Sequence, residues 1–545
     1  MTLAVLAASN PKEYFVKPIR SAALGAGLLL QAGVLVAQAR DSLSRPVIQA
    51  IEIHRNDLFD STETRHWYGR VANAVHFMTR DGVVRRELLF AVGERYDPAK
   101  VAETARNLRG LFIFRQVRID TLTVSGLFTV RVITKDGWTT KTDFRFRSTG
   151  GQTEWGATYS ESNLLGTGSL FQIRFKKNPD RSSLLFEFEQ PRFVLRTMRL
   201  HLGYDRRSDG DRASALIQRP FYTLSTRRGL AVYTGFEDLQ VLRFFNGESV
   251  ASDSLWRRYF IVAVDGATSV HASSEGYLRV GAFAQLRRDD YAPVAMKNTM
   301  PTTRTAAFGS YLEWRRAKFL VTRGFSSIGR DEDVDLSRTF RLGVNVAPRA
   351  FGYDRDGIGG YTSLRLGTAF PHGFAYFDGR ADGIWTSAGL DSGWVQLGTT
   401  VALRPGPGQE LLLHADHGWI KQLQPGSEFD LGFSLGPRAF PIHAFTGDRE
   451  YFLSAEYRAT VFSDLFRLVG VGVAGFGDHG GAWYSGAPRR TGSDLGLGLR
   501  LAPSRSAGLD PVRIDLAYRF PNDVQKRGWV VVISKGFPFS ATMRP

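Results

Sequence analysis

The chain of 545 residues contains no cysteine. Disulfide bonds and thiolate metal sites are therefore excluded, and cysteine pairing says nothing about the compartment of the protein. Three catalytic patterns are also missing: G-x-S-x-G of lipases, H-E-x-x-H of zinc proteases and the Walker pattern of nucleotide-binding proteins. We therefore expect no enzyme activity, no bound cofactor and no metal site.

Long apolar runs are missing from residue 40 onward. A transmembrane helix needs about 20 mainly apolar residues, so this part of the sequence predicts no helical membrane span. The N-terminus differs, because Lys17 and Arg20 precede the run SAALGAGLLLQAGVLVAQA, which ends in the small-residue pattern Ala37-Gln38-Ala39. This arrangement is typical of a secretory signal peptide cleaved before Arg40. We interpret residues 1–39 as a signal peptide, with a single membrane anchor as the alternative.

Acidic residues are fewer than basic ones, with Asp+Glu 53 against Lys+Arg 70 and a formal net charge of +17. Such an excess is compatible with nucleic acid, an anionic membrane surface or a charged channel as partner. The arginines are spread over alternating positions and are not clustered. This distribution favours a basic channel or rim and argues against a nucleic-acid-binding surface.

Residues 46–137 have the pattern of a small α+β domain. Val47–Ile53 alternates like a strand, and the stretches WYGRVANAVHFM and GVVRRELLF have helical composition. Asp97-Pro98 is typical of a helix start, with the aspartate as N-cap and the proline as first helical residue. Two further alternating stretches follow, FRQVRIDTL and LFTVRVIT. The predicted order is strand, helix, helix, strand, strand.

From Thr140 to the C-terminus the sequence consists of short alternating segments. Residues 512–520, for example, place valine, isoleucine, leucine and aromatic residues on one face and Arg513, Asp515, Ala517 and Arg519 on the other. Tryptophan and other aromatic residues recur near the segment ends, as they do at the interfaces of membrane β-barrels. No helical pattern interrupts the series. One closed barrel accounts for this pattern without leaving exposed sheet edges.

The N-terminal block resembles a POTRA domain of the BamA/TamA outer-membrane assembly superfamily. The resemblance depends on VVRRELLFAVGERYDPAKV (Val83–Val101) and NLRGLFIFRQVRI (Asn107–Ile119). It implies a mainly β protein, in which one small POTRA domain over residues 46–137 precedes a transmembrane antiparallel β-barrel over residues 140–545. About twenty candidate strands can be counted. We nevertheless expect the 16 strands of the family, because long strands such as those flanking residues 241–260 can extend into surface ribbons.

The segment SESNLLGTGSL (Ser160–Leu170) is similar to the x-N-L-L-G-x-G pattern near the second barrel strand of this family. Asn163, Gly166 and Gly168 are suited to a tight turn with positive φ. An ordinary glycine-containing hairpin turn is the alternative.

The segment LGPRAFPIHAFTGDREYFLSAEYR (Leu435–Arg458) is similar to the family's long loop between the eleventh and twelfth strands, which folds back into the barrel. The family motif is [V/L/I]-R-G-[F/Y]. Here it corresponds to Pro437-Arg438-Ala439-Phe440, so proline replaces the aliphatic residue and alanine replaces glycine. An ordinary surface loop is the alternative.

The segment VAGFGDHGGAW (Val473–Trp483) resembles the F-x-D-x-G-x-x-W strand of the same family, with Asp478 as the inward acid. The resemblance implies that Arg438 is held inside the barrel by Asp478. Glu456 shares the polar face of its own strand and is a second candidate partner. An arginine removed from water needs such charge-assisted partners.

The function implied by the resemblance is the insertion or translocation of other proteins at the bacterial outer membrane, with the N-terminal domain in the periplasm. Expected partners are outer-membrane lipids, unfolded β-barrel or secreted protein substrates, and periplasmic proteins or lipoproteins. A POTRA edge strand can pair with an extended chain. The resemblance also implies that the seam between TDFRFRS and WVVVISK can open laterally. Two alternatives remain: a two-partner-type secretion pore for one dedicated partner, and a passive porin-like or structural barrel.

Overall fold

The computed structural model describes most of the chain beyond the N-terminal leader. The described residues are 45–535 except 59–64, 66, 112, 150–151, 194–197, 222–225, 274, 301, 324, 326–327, 329–330, 423, 433–434, 467–468 and 504–510. The predicted signal peptide and its cleavage site before Arg40 lie outside these residues. Within them, no helix is both long and apolar enough to cross a membrane.

The N-terminal domain is a three-stranded sheet packed against helices. Its elements are β1 Ala50–Asn56, α1 Trp67–Val75, α2 Asp81–Glu87, α3 Pro98–Gly110, β2 Phe114–Val124 and β3 Leu127–Asp136. The strand order is β1-β3-β2, with β1 parallel and β2 antiparallel to β3. The core contains Ile48, Val84, Phe90, Val101, Leu108, Val130 and Val132.

Three helices, not the two of the predicted order, separate the first two strands. The chain turns between α1 and α2 at Thr79, whose backbone N–H and hydroxyl both donate to Asp136 Oδ2, at 2.7 and 2.9 Å. Arg80, which precedes α2, has extended backbone angles. Because Asp136 holds Thr79, the two predicted helical stretches remain separate helices.

The rest of the chain forms a closed antiparallel barrel of twenty strands within the described residues. The wall consists of β4 Thr140–Thr149, β5 Gln152–Glu161, β6 Leu170–Lys177, β7 Ser182–Gln190, β8 Arg199–Arg207, β9 Gly210–Arg219, β10 Arg228–Val241, β13 Leu255–Ser273, β14 Gly276–Pro293, β15 Thr305–Arg316, β18 Arg338–Ala347, β19 Gly357–Phe370, β20 Gly373–Thr386, β21 Gly389–Leu403, β22 Gln409–Lys421, β25 Arg449–Leu465, β26 Val469–Trp483, β27 Gly492–Pro503, β28 Val512–Arg519 and β29 Gly528–Lys535.

The remaining strands form three two-stranded ribbons beside the wall. They are β11 Phe244–Phe245 with β12 Glu248–Ser249, β16 Phe319–Arg323 with β17 Asp331–Asp335, and β23 Phe429–Leu431 with β24 Phe445–Gly447. Short 3₁₀ helices occupy Leu164–Gly166, Ala251–Asp253, Val294–Thr299 and Arg349–Phe351.

The predicted count of 16 strands is wrong. The segment 241–260 does form a ribbon, β11 with β12, as predicted, but this ribbon lies outside the wall. Each wall strand keeps its own ladders to two neighbours, so the twenty segments counted from alternation correspond to twenty separate strands. The wall therefore has four strands more than the 16 expected from the resemblance.

The barrel has an apolar exterior and a polar interior. On β27, Leu495, Leu497 and Leu499 are 48%, 72% and 44% exposed, whereas Asp494 and Arg500 on the alternate face are 2% and 1% exposed. A soluble sandwich has the opposite arrangement, because its apolar faces pack inward. Exposed leucines with buried charges are the pattern of a barrel that spans a lipid bilayer.

The N-terminal domain defines the two ends of the barrel. Strand β4 begins at Thr140, directly after β3 ends at Asp136, so the start of β4 lies beside that domain. We call this end proximal and the opposite end distal. Odd-numbered connections counted from β4 are distal, and even-numbered connections are proximal.

The barrel closes where its last strand meets its first. Within the described residues, β29 pairs with β4 at one position, Ile533 with Ser148. Lys535 adds an ion pair with Asp143. The neighbouring pairs β28–β29 and β4–β5 extend over eight and ten positions. Among the described residues, the seam is therefore held by far fewer backbone hydrogen bonds than the pairs on either side.

We predict that a charge at Leu516, in the middle of β28 and 49% exposed, destabilises the barrel. Leu516→Arg should lower the unfolding free energy by about 2–4 kcal/mol, because the guanidinium enters the apolar layer. Denaturant unfolding in lipid vesicles measures this difference. Val461→Arg, near the proximal end of β25, is the control and should cost less than about 1 kcal/mol. Equal costs at the two positions would contradict the lipid-facing assignment of Leu516.

Candidate functional site

The distal connection between β22 and β25, residues 422–448, folds into the barrel; we call it the lumenal loop. Its ribbon β23–β24 and its apolar residues pack against the inner wall. The cluster contains Leu431, Phe440, Ala444 and Phe445 of the loop with Phe452 and Ala482 of the wall. Phe440, named in the predicted motif, has no exposed surface. Apolar burial therefore fixes the loop inside the lumen.

Arg438 is the charged contact between this loop and the wall. Its Nε and Nη2 donate to the two carboxylate oxygens of Asp478 at 2.6 and 3.2 Å, which is a bidentate geometry. Its Nη1 donates to Glu456 Oε2 at 2.8 Å. The guanidinium also lies over the ring of Phe476, at 3.7 Å from the centroid. Arg438 is 6% exposed, so its charge is compensated almost entirely by protein groups.

The backbone around Arg438 accounts for alanine in place of the glycine of the family motif. Phe440 N–H donates to Pro437 O at 3.2 Å, which closes a turn with Arg438 and Ala439 at its centre. Neither central residue has positive φ, so the glycine of the motif is not required here. The Ala439 methyl packs against Phe476 and Ala517. Proline at the first position of the turn leaves its carbonyl free to accept this bond.

Further contacts hold Ala439 from both sides. Its N–H donates to Asp494 Oδ2 at 2.9 Å, and its carbonyl accepts from Arg519 Nη1 at 3.0 Å. Ser454 Oγ donates to Asp478 Oδ1 at 2.6 Å, which orients that carboxylate. Strands β25 to β28 therefore all contribute to the position of the turn.

Glu456 joins Arg438 to a larger group of buried charges. Its carboxylate accepts from Arg458 Nε at 2.7 Å and lies 3.2 Å from Arg500 Nη2. Arg500 also pairs with Asp515, whose carboxylate lies 3.5 Å from Arg438 Nη1. We call Arg438, Arg458, Arg500, Glu456, Asp478 and Asp515 the charge cluster.

The sequence analysis named Arg438, Asp478 and Glu456, and the structure brings these three together. It did not name Arg500 or Asp515 as their partners. The available signal was the alternation of β27 and β28, which assigns both residues to the lumenal face. What alternation does not give is the stagger between strands, and the stagger decides which lumenal residues lie at the same depth.

The turn Asn163–Gly168 lies at the first proximal connection, between β5 and β6. Gly166 and Gly168 have φ of 73° and 70°, but Asn163 has φ −132°, so the predicted positive φ at Asn163 is wrong. Leu165 takes the left-handed conformation instead, with φ 53°. The contribution of Asn163 to the turn is made by the hydrogen bonds of its side chain.

Asn163 fastens this turn to the N-terminal domain. Its Nδ2 donates to Phe77 O and to Thr79 Oγ1 at 3.1 and 2.9 Å, while its Oδ1 accepts from Gly168 N–H at 2.9 Å. Arg80 N–H donates to Gly166 O at 2.8 Å. The motif therefore connects the barrel to the turn between α1 and α2.

Thr79 of the segment between α1 and α2 contacts a buried carboxylate at the end of β3. Asp136 has no exposed surface, and burial raises its pKa above the usual range although the two hydrogen bonds from Thr79 act in the opposite direction. Burial likewise raises the pKa of Glu87, against the effect of its ion pair with Arg192. Both carboxylates lie at the contact between the N-terminal domain and the barrel.

No protein-family model matches the chain, and no curated protein matches its sequence. Among solved structures it is similar to BamA from Haemophilus ducreyi lacking POTRA domains 1–3, over 89% of this chain and 85% of that one, with 12% identity and a TM-score of 0.43. It is also similar to CdiB from Escherichia coli, over 90% of this chain and 77% of that one, with 10% identity and a TM-score of 0.45. A third similar structure is the copper transporter OprC, over 78% of this chain and 86% of that one, with 7% identity and a TM-score of 0.39. At these identities the likeness concerns the barrel architecture and nothing finer.

We predict that Arg438→Ala releases the lumenal loop and leaves the barrel folded. Removing one partner of a buried ion pair typically costs about 3–5 kcal/mol, because the other charge stays buried. Asp478→Asn should have a similar effect, and the double variant should be no worse than either single one. Limited proteolysis of the loop and denaturant unfolding measure both effects. Arg489→Ala, at the exposed distal surface, is the control. Additive losses would show that the two residues act independently.

We predict that Asp136→Asn stabilises the N-terminal domain at pH 7. The raised pKa of Asp136 means that its protonated form contributes stability that is fully present below its unfolded pKa and is lost as the pH rises through the folded pKa. The amide keeps an acceptor for Thr79 without a charge. Hydrogen exchange of residues 127–136, corrected for intrinsic rates, should therefore be slower in the variant than in the unchanged protein at pH 7. This gain in protection should shrink toward pH 4. Asp120→Asn on β2 is the control. A gain that does not vary with pH would contradict this account.

Proposed function

We propose that the protein is an outer-membrane barrel that inserts or translocates other proteins, with its N-terminal domain in the periplasm. The observation that carries the proposal is the buried contact of Arg438 with Asp478 and Glu456. It corresponds to the arginine–acid contact implied by the resemblance of residues 435–458 and 473–483 to the BamA/TamA superfamily. Five wall strands follow the lumenal loop here, as five follow a loop between the eleventh and twelfth of 16 strands.

Two features supply a mechanism for handling extended chains. Strand β2 lies at an edge of the N-terminal sheet, where its free backbone groups can pair with an incoming strand. In the part of the chain that the structure describes, the seam between β4 and β29 is held by one ladder position and one ion pair. Opening it exposes two strand edges, on which a new strand can form hydrogen bonds before it enters the bilayer.

A secretion pore is the second candidate, and the number of strands favours it. The diameter of a barrel grows roughly in proportion to its strand number. Twenty strands enclose a wider lumen than 16, so more room is present for an extended polypeptide once the lumenal loop moves. A passive porin is less consistent with the buried fastening of that loop, because a permanently open channel has no need for it.

The seam can be tested with paired cysteines, since the chain has no other thiol. Ser148→Cys with Ile533→Cys places two thiols at the paired position of β4 and β29. Thr362→Cys with Ala381→Cys is the matched control on β19 and β20. The outer-membrane and secreted proteomes are then compared in depleted cells and in cells carrying each pair, oxidised or reduced.

An insertase predicts that depletion and the oxidised seam pair both remove β-barrel proteins from the outer membrane, that reduction restores them, and that the control pair has no effect. A secretion pore predicts that depletion removes one secreted protein while the oxidised seam pair leaves secretion intact. If depletion changes neither proteome, the proposed function is wrong and a passive or structural barrel remains.

A further inference from the structure

The proximal connection between β15 and β18, residues 317–337, is unlike a simple turn. Strands β19 and β20 are joined by residues 371 and 372 alone, whereas this connection contains the hairpin β16–β17. Leu336 N–H donates to Lys318 O at 2.9 Å at the base of the hairpin. The sequence analysis assigned no role to this segment.

The apolar residues of this connection are buried inside the barrel. Phe325, Val334 and Leu336 have 1%, 0% and 0% exposed surface. They pack against Phe374, Tyr376, Ala402 and Leu412 of β20, β21 and β22. Those four wall residues alternate with lipid-facing neighbours, so their side chains point into the lumen.

Three further details show a built contact. Gly367 on β19 lies so close to the backbone of Leu336 that a Cβ at this position would overlap it. Arg315 Nη2 donates to Asp335 Oδ2 at 3.2 Å and to Ser337 Oγ at 3.1 Å, and all three side chains are buried. Arg404, in the proximal connection between β21 and β22, donates to the hydroxyl of Thr322. Steric fit and polar contacts therefore hold the connection in one place.

The connection also reaches strands beyond β22. Ile328 is 6% exposed and packs against Ala502 of β27, beside Gly470 of β26. In the order of the wall, only β25 separates β26 from β22. The described residues of the connection thus contact the inner wall from β19 to β27 at the proximal end; we call them the proximal plug.

A short chain of polar contacts links the proximal plug to the lumenal loop. Phe325 O accepts from Arg458 Nη1 at 2.8 Å, and Arg458 Nε donates to Glu456 Oε1 at 2.7 Å. The other oxygen of Glu456 accepts from Arg438. One carboxylate with no exposed surface therefore connects two segments that enter the barrel from opposite ends.

We propose that the described residues of this connection are a plug that narrows the proximal opening, and that the charge cluster locks this plug and the lumenal loop together, so that releasing either loosens the other. This inference rests on the proposed function only in treating the lumen as a path for an extended polypeptide. A substrate that displaces one segment would thereby open the other end of the path as well.

Two single-cysteine reporters test the coupling in the full-length protein in lipid vesicles. Leu336→Cys reports on the proximal plug and Ala444→Cys on the lumenal loop; both positions are buried. A water-soluble maleimide should label each slowly. Arg438→Ala should speed labelling of the plug reporter, and Arg315→Ala should speed labelling of the loop reporter, each by about tenfold, within the usual range of coupling between sites. Arg489→Ala is the control and should change neither rate.

Conductance in planar bilayers tests the plug itself. Replacing residues 319–336 by a two-residue Gly-Ser turn should raise the conductance, and Arg315→Ala should do so in part if the deletion does not fold, as judged by heat-dependent migration in gels. If Arg438→Ala speeds labelling of the loop reporter but not of the plug reporter, the proposed coupling between the two segments is wrong. If neither the deletion nor Arg315→Ala raises the conductance, the proposal that this connection acts as a plug is wrong. These measurements use no substrate, so their outcome is independent of the outcome of the proteome experiment.

Discussion

Burial of the Arg438 guanidinium is the constraint on which the organisation of the lumen depends. A cation removed from water is tolerated only where anions and hydrogen-bond acceptors surround it. Asp478, Glu456 and Asp515 supply them from β26, β25 and β28. These carboxylates in turn need Arg458 and Arg500, because the resulting network leaves no carboxylate without a cation beside it. One arginine on a loop thereby fixes the side chains of several strands.

Much of the fold could be predicted from the sequence because alternation is local. The faces of β27 and β28 follow directly from residues 495–501 and 512–520, and the apolar exterior needs no knowledge of neighbouring strands. The number of strands could also be counted, and the error arose when the family number was preferred to that count. The seam was harder, because the number of ladder positions between β29 and β4 depends on the stagger around the whole barrel.

The candidate site was predictable only in part, for a related reason. Arg438 and Asp478 were found through two motifs, and Glu456 through the parity of its own strand. Phe325 was not found, since it lies 133 residues from Arg458 in sequence. A hairpin such as β16–β17 has the same alternation whether it extends into solvent or folds into a lumen. Its location depends on complementary features of other strands, such as the glycine at position 367 and the aromatic residues of β20.

The width of the barrel connects these observations. A barrel of about eight strands is filled by its own side chains, whereas larger barrels enclose space that water or other segments must occupy. In a twenty-stranded barrel, the lumenal loop packs on the wall near β25–β28, and the charge cluster lies on the same side. The wall at β20–β22 has lumenal apolar residues, Phe374 and Leu412 among them, that need a separate cover. The proximal plug supplies it. Glu456 accepts from Arg438 of the loop and from Arg458, which also donates to Phe325 O of the plug. Each segment is therefore held by contacts that the other helps to complete.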